Sequence, residues 1–137
     1  MIIAQASDKF WREVPGHALV IAFEQLSKVR NMSMLADEAK LRMSCIWFAE
    51  TLAMYVAAVN RKVYTTAWDI YESHKSFPDL PSGYTEVFSR LCGLVPSEAR
   101  ELYPFAEQLW ESVQNHAKDR DIRMTVYDRP EDSIADC

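Results

Sequence analysis

Two charged side chains, Glu24 and Lys28, lie four residues apart in a stretch that is otherwise mostly apolar. This spacing places them one above the other on the same face of a helix. One interpretation is a surface ion pair, which stabilises a helix by only about 0.2–0.5 kcal/mol. The other is a carboxylate general base beside an ammonium group that binds phosphate. The spacing alone is compatible with both interpretations.

The apolar residues around this pair predict the helix that carries it. They recur at intervals of three and four residues, at Leu19, Ala22, Phe23, Leu26 and Val29. We expect this helix to run from about His17 to Asn31. A shorter helical stretch precedes it, and Pro15 and Gly16 are expected to interrupt or kink the chain between the two.

The rest of the chain predicts four more helices joined by short connections. They are a second helix capped by Ser33 or Asp37, a third from Tyr64-Thr-Thr66 to about Phe77, a fourth from Tyr84 to about Cys92, and a fifth from Ser97 to about Arg120. The predicted fold class is all-α, an up-and-down bundle of about five helices. It forms one domain over residues 1–127, followed by a polar tail over residues 128–137. The expected core contains Trp47, Phe48, Tyr55, Leu109 and Trp110.

Composition excludes several classes of protein. The 137 residues carry a formal net charge of −5 without a basic run, which argues against a nucleic-acid-binding protein. The longest apolar run is too short to span a bilayer, so no membrane association is expected. Three cysteines without Cys-x-x-Cys spacing predict reduced thiols in a cytoplasmic protein.

No metal site is predicted from the metal-ligating residue types. The histidines, His17, His74 and His116, lack ligand spacing and are expected to be packed or solvent-facing. The segment Asp119-Arg-Asp121 is similar to the Asp-x-Asp of two-metal nucleotidyl transfer. Here it ends a helix and no Gly-Ser loop precedes it, so solvated charge is the preferred interpretation.

A pair of residues near the start of the chain offers a nuclease interpretation. Arg12 and His17 have the Arg-x4-His spacing that resembles the core of HEPN ribonucleases. In such a site the arginine would hold a phosphate and the histidine would move a proton. Pro15 and Gly16 lie inside the spacing, and a spacing this loose arises often by chance.

Several short segments resemble the C-terminal helical domain of kanamycin nucleotidyltransferases, which adenylate aminoglycosides. They occur in the same order as in that family, over about residues 10–127: Phe10, Phe23-Glu24, Lys28-x-Arg30-Asn31, Tyr64-Thr-Thr66, Asp79-Leu-Pro-Ser-Gly-Tyr84 and Glu107-x-x-Trp110. No single segment is a signature. Their shared order makes the resemblance specific.

The resemblance implies a role for three residues. Glu24 corresponds to the carboxylate that takes the proton from a sugar hydroxyl, Lys28 to the lysine near the nucleotide phosphates, and Thr66 to a threonine that hydrogen-bonds the nucleotide. It also implies a homodimer, because the family's active site lies between two subunits. The acceptor would be a small molecule with a hydroxyl group.

Two departures from the family limit these implications. A second carboxylate one turn before the base is replaced by Val20, which places an aminoglycoside substrate in doubt. The metal-binding catalytic domain is also missing, so this chain is expected to need a separate catalytic domain that brings Mg²⁺ and ATP. Alone it would hold no cofactor and would not be an active enzyme. The alternative is a non-catalytic, antitoxin-like interaction module that has kept only the fold.

Overall fold

A computed structural model describes residues 8–124 and contains only helices within that range. The helices are α1 (Asp8–Met34), α2 (Glu38–Val59), α3 (Asp69–Glu72), α4 (Tyr84–Leu91) and α5 (Ala99–Asp119), with a 3₁₀ turn over Ser73–Ser76 after α3. The prediction of an all-α fold with about five helices is confirmed. The predicted boundary between residues 127 and 128 lies outside the described residues.

The first helix is longer than predicted. It continues through Pro15 and Gly16 as one α-helix, so the predicted interruption is wrong. A proline inside a helix removes a backbone donor and costs about 3 kcal/mol. Both residues are buried, and their packing against neighbouring residues offsets this cost.

Helices α1 and α2 form an antiparallel hairpin around a short turn. The carboxylate of Asp37 accepts a hydrogen bond from the Lys40 backbone N–H at 3.1 Å, which confirms one of the two predicted caps for α2. Ala36 adopts a positive φ of 56° in the turn. Because the helices are antiparallel, the C-terminal end of α1 lies beside the N-terminal end of α2.

Helix α5 packs against this hairpin and closes the core. The rings of Phe23 on α1 and Trp110 on α5 lie 6.0 Å apart, and those of Phe48 and Trp110 lie 6.4 Å apart. Tyr55, Phe48, Leu109 and Trp110 are buried as predicted. Trp47 is 45% exposed, so its predicted place in the core is wrong.

The third helix is much shorter than predicted. It begins at Asp69, whose carboxylate accepts hydrogen bonds from the backbone N–H groups of Thr65 and Thr66 and holds the preceding segment in a turn. After four residues it gives way to the 3₁₀ turn over Ser73–Ser76. Helix α4 matches its prediction closely. Gly93 follows it with a φ of 80°, as expected for a helix stop.

The start of α5 also differs from its prediction. Ser97 does not cap the helix, which begins at Ala99 after Glu98 and has no side-chain cap. Pro104 lies within its second turn without ending it. Pro104 is the sixth residue of the helix, so it lacks the N–H that would bond to the carbonyl of Arg100, and the helix continues despite this loss.

Candidate functional site

The exposed face of α1 carries the predicted pair. Leu19, Ala22 and Leu26 are buried on the opposite side of the helix, which directs Glu24 and Lys28 towards solvent. Within the described part of the chain, neither side chain takes part in a hydrogen bond or an ion pair. The two groups are therefore not a formed surface ion pair. A carboxylate and an ammonium group remain available to a ligand on one helical face.

Another charged residue of α1 does make a stabilising contact. Arg30 donates from Nε to the Tyr103 hydroxyl at 2.8 Å and from Nη2 to Glu107 Oε1 at 3.2 Å. The Tyr103 hydroxyl also donates to Glu107, and this bond and the Arg30 bond hold the pKa of Glu107 below its usual value. Two segments of the family resemblance, Lys28-x-Arg30 and Glu107-x-x-Trp110, thus meet between α1 and α5.

Thr66 lies in the segment before α3 and is exposed. Its backbone N–H donates to Asp69 Oδ2 at 3.2 Å, and the Thr65 N–H donates to the same oxygen at 3.0 Å. These hydrogen bonds, those of Thr65 above all, hold the pKa of the Asp69 carboxyl below its usual value. The N–H groups that a helix start would offer to a phosphate are already bound by a carboxylate.

Within one chain the structure does not bring Thr66 near Lys28. Thr66 shares a surface groove with Trp11 and Val14 of α1. Lys28 is fourteen residues after Val14 on the same helix, which corresponds to about 21 Å along the axis. A single chain therefore presents Glu24 with Lys28 but not Thr66 on one face.

The predicted nuclease pair is also separated. Arg12 and His17 belong to one continuous helix and are five residues apart, so their directions differ by about 140°. Arg12 is exposed and His17 is partly buried. This geometry argues against a single phosphate site built from these two residues in one chain.

A partly buried hydrogen-bonded cluster, which the sequence did not indicate, lies between α2, α5 and the loop before α4. The hydroxyl of Tyr55 lies 2.7 Å from His116 Nδ1, and His116 Nε2 lies 2.9 Å from Asp79 Oδ1. Arg120 Nε donates to Asp79 Oδ2 at 2.6 Å. Asn60 binds the backbone N–H and C=O of Asp79.

This cluster holds the loop against α2 and α5, and Asp79 and Arg120 also line a surface groove. Both nitrogens of His116 are engaged, and burial lowers the pKa of its ring. The bonds from Arg120 hold the pKa of Asp79 below its usual value. The sequence signal was the Asp79-Leu-Pro-Ser-Gly-Tyr84 segment, but nothing in it pointed to His116 or Tyr55.

No group of three His, Cys, Asp or Glu side chains between residues 8 and 124 is arranged to hold a metal ion. Asp121 pairs with Arg123 at 3.6 Å on the surface, in agreement with the interpretation as solvated charge. Cys45 and Cys92 are free thiols, and burial raises the pKa of each to about 12.

Comparison with known proteins identifies one family. The model of the KNTase C-terminal domain, the C-terminal domain of kanamycin nucleotidyltransferase, matches residues 2–123. No curated protein and no solved structure gives a significant match. None of the helices in residues 8–124 is sufficiently long and apolar to cross a membrane.

Proposed function

The chain belongs to the KNTase C-terminal domain family, and we propose that it is the substrate-binding helical domain or subunit of a nucleotidyltransferase. In this proposal Glu24 is the general base and Lys28 binds the nucleotide phosphates. The observation that carries the proposal is that both groups are exposed on one face of α1 and have no partner in the described residues. A family domain that had kept only its fold would have no need of them there.

The chemistry requires a carboxylate and a cation in this arrangement. Glu24 takes the proton from a hydroxyl of a small acceptor molecule, and the hydroxyl oxygen bonds to the α-phosphorus as pyrophosphate leaves. Lys28 offsets the negative charge on the phosphates. We assign Mg²⁺ and ATP to a separate catalytic domain, because residues 8–124 offer no cluster of metal ligands.

The third residue enters the proposal through a second copy of the chain. Val14, which lines the same groove as Thr66, is about 21 Å from Lys28 along α1, so we place Thr66 at the same nucleotide only across a dimer interface. The exposed side of α2 carries Met43 and Trp47, which are 52% and 45% exposed. A twofold axis crossing α2 sets the hairpin turn of one copy against the Thr66 end of the other, and covers this apolar stripe.

The test combines this chain with the isolated catalytic domain of a kanamycin nucleotidyltransferase. We expect transfer of AMP to kanamycin, or to another hydroxyl acceptor from a panel, only when both proteins are present. Glu24→Gln should lower the rate by about a hundredfold or more, as expected for loss of a general base. The matched control is Glu111→Gln, which neutralises an exposed glutamate on α5.

A non-catalytic interaction module is the second candidate. It is favoured by the carboxylate of Asp69, which occupies the Thr65 and Thr66 N–H groups where a phosphate would bind. Under this alternative, Glu24→Gln and Glu111→Gln would behave alike in every assay. RNA cleavage by the chain alone, lost in Arg12→Ala or His17→Ala, would support the ribonuclease interpretation instead.

A further inference from the structure

Two surface grooves meet at Trp11, near the start of α1. The first, called here the apolar groove, has a volume of about 320 Å³ and is lined by Phe10, Trp11, Val14, Met54, Val63 and Ile70, among others. The second, called here the arginine groove, has a volume of about 680 Å³ and is lined by Trp11, Arg12, Arg61, Arg120 and Arg123, among others. Trp11 and Ala58 line both grooves, so the two are adjacent.

The apolar groove has the character of a small-molecule site. Its walls come from the first turns of α1, the last turns of α2, the segment before α3 and Ile70 of α3. The walls are almost entirely hydrocarbon, and Met54 in them is 51% exposed. Ligand sites are typically concave, mostly apolar and about 300–1,000 Å³ in volume, with a few charged groups that fix orientation.

The charges around the two grooves do not cancel. Each acidic lining residue of the arginine groove has a cationic partner: Glu13 pairs with Lys9 at 3.9 Å, Asp79 with Arg120, and Asp121 with Arg123 at 3.6 Å. Arg61 is matched by Asp8 at 2.8 Å. Arg12 and Lys62 make no side-chain hydrogen bond or ion pair within residues 8–124. Among the residues that line the two grooves, this leaves two unmatched positive charges in a protein whose net charge is −5.

We propose that the two grooves together bind a small amphipathic anion, with its apolar part in the apolar groove and its carboxylate or phosphate head near Arg12 and Lys62. Trp11 lies where the apolar part and the head meet, and its ring suits that boundary. The charge complementarity favours an anion over a neutral hydrocarbon. The site uses neither Glu24 nor Lys28, although Thr66, the third residue of the proposed function, also lines the apolar groove.

Calorimetric titration of the full chain with decanoate, and with decanol as the neutral analogue, tests the proposal. We expect decanoate to bind at one site about tenfold more tightly than decanol, because two exposed charge contacts together give roughly this factor. Neutralising both cations in Arg12→Gln/Lys62→Gln should remove the difference between the two ligands. Arg100→Gln, at an exposed arginine on α5, should leave it unchanged.

The apolar part of the site is tested by a matched pair of methionine variants. Met54→Ser should weaken the binding of both ligands, whereas Met34→Ser, at an exposed methionine outside the groove, should weaken neither. Equal binding of decanol and decanoate, or equal effects of the two methionine variants, overturns the proposal. A dimer that Met54→Ser dissociates, with no decanoate binding, assigns the groove to a second copy and also overturns it.

Discussion

Nε2 of His116 on α5 lies 2.9 Å from the Oδ1 atom of Asp79, in the loop between the 3₁₀ turn and α4. Asp79 also binds Arg120, and its backbone binds Asn60 at the end of α2. One loop residue thus connects two helices that are far apart in the sequence. This relationship gives the first of five predictions.

Neutralising Asp79 should destabilise the bundle. In Asp79→Asn the bonds to Arg120 and His116 lose their ionic partner, which should lower the free energy of unfolding by about 1–3 kcal/mol. Urea denaturation measures this change. The control is Asp121→Asn, which breaks an exposed pair with Arg123 and should change stability by less than about 0.5 kcal/mol. Equal effects of the two changes on stability would mean that the cluster around Asp79 does not hold the loop.

Removing the hydroxyl group from each of two buried tyrosines should change the stability of the protein by different amounts. The Tyr55 hydroxyl binds buried His116 at 2.7 Å, so Tyr55→Phe leaves that nitrogen unpaired and should cost about 1–3 kcal/mol. The Tyr84 hydroxyl is buried and has no hydrogen-bond partner within the described residues. Tyr84→Phe should therefore be neutral or stabilising in thermal denaturation. A larger loss in Tyr84→Phe than in Tyr55→Phe would contradict this assignment.

Stability should fall on moderate acidification. Burial lowers the pKa values of His74 and His116 below the ordinary value of 6.5, so the unfolded chain binds protons before the folded chain does. Their contribution is complete above about pH 6.5 and is lost as the pH falls below it. Asp79, whose pKa is held low by Arg120, adds a further loss below about pH 4.

The urea midpoint measured between pH 7.5 and 5 tests this dependence. His74→Phe removes one of the two buried rings that must charge, and should make the decline shallower. Its ring lies between Tyr84 and Phe88, so a phenyl group fits the same aromatic surroundings. A profile that does not change in His74→Phe would assign the acid sensitivity to other groups.

A buried and an exposed tryptophan should differ in how much their replacement by alanine lowers the free energy of unfolding. Trp110 is buried against Phe23 and Phe48, so Trp110→Ala should lower the free energy of unfolding by about 3–5 kcal/mol. Trp68 is 79% exposed, and Trp68→Ala should change it by less than about 0.5 kcal/mol. Chemical denaturation of the two variants compares them directly.

The exposed stripe on α2 predicts self-association. We expect the chain to be a dimer in sedimentation velocity at micromolar concentration, because Met43 and Trp47 present apolar surface on the outer side of α2. Trp47→Glu should produce monomers. Leu94→Glu places the same charge at an exposed apolar position before α5 and should leave the dimer intact. If the wild-type chain is a monomer, Thr66 of one copy cannot complete the nucleotide site of another, and that part of the proposed function is wrong.

Much of the fold was predictable from local patterns. Apolar residues at helical spacing predicted α1 and α2, Asp37 predicted the start of α2, and Gly93 predicted the end of α4. These signals depend on neighbours within a few residues, which a sequence displays directly. The order of short segments was sufficient to indicate the family, and the match over residues 2–123 confirms it.

Local patterns failed at three places, where tertiary packing or a nearby side chain overrode the expected signal. Pro15 normally ends a helix, but its burial keeps α1 continuous. The Thr65-Thr66 segment resembles a helix start, but the Asp69 carboxylate holds it as a turn. Trp47 is a large aromatic residue of the kind usually found in the core. It faces outwards, because the adjacent Phe48 points into the core from a different side of the helix.

For the site, the sequence determined the residue types and the tertiary structure decided their relationships. The spacing of Glu24 and Lys28 fixed their common face, because both lie on one regular helix. The distance from Lys28 to Thr66, and the contact between Asp79 and His116, depend on how the helices pack. Packing is set by the whole core at once, so no local pattern of residues contains it.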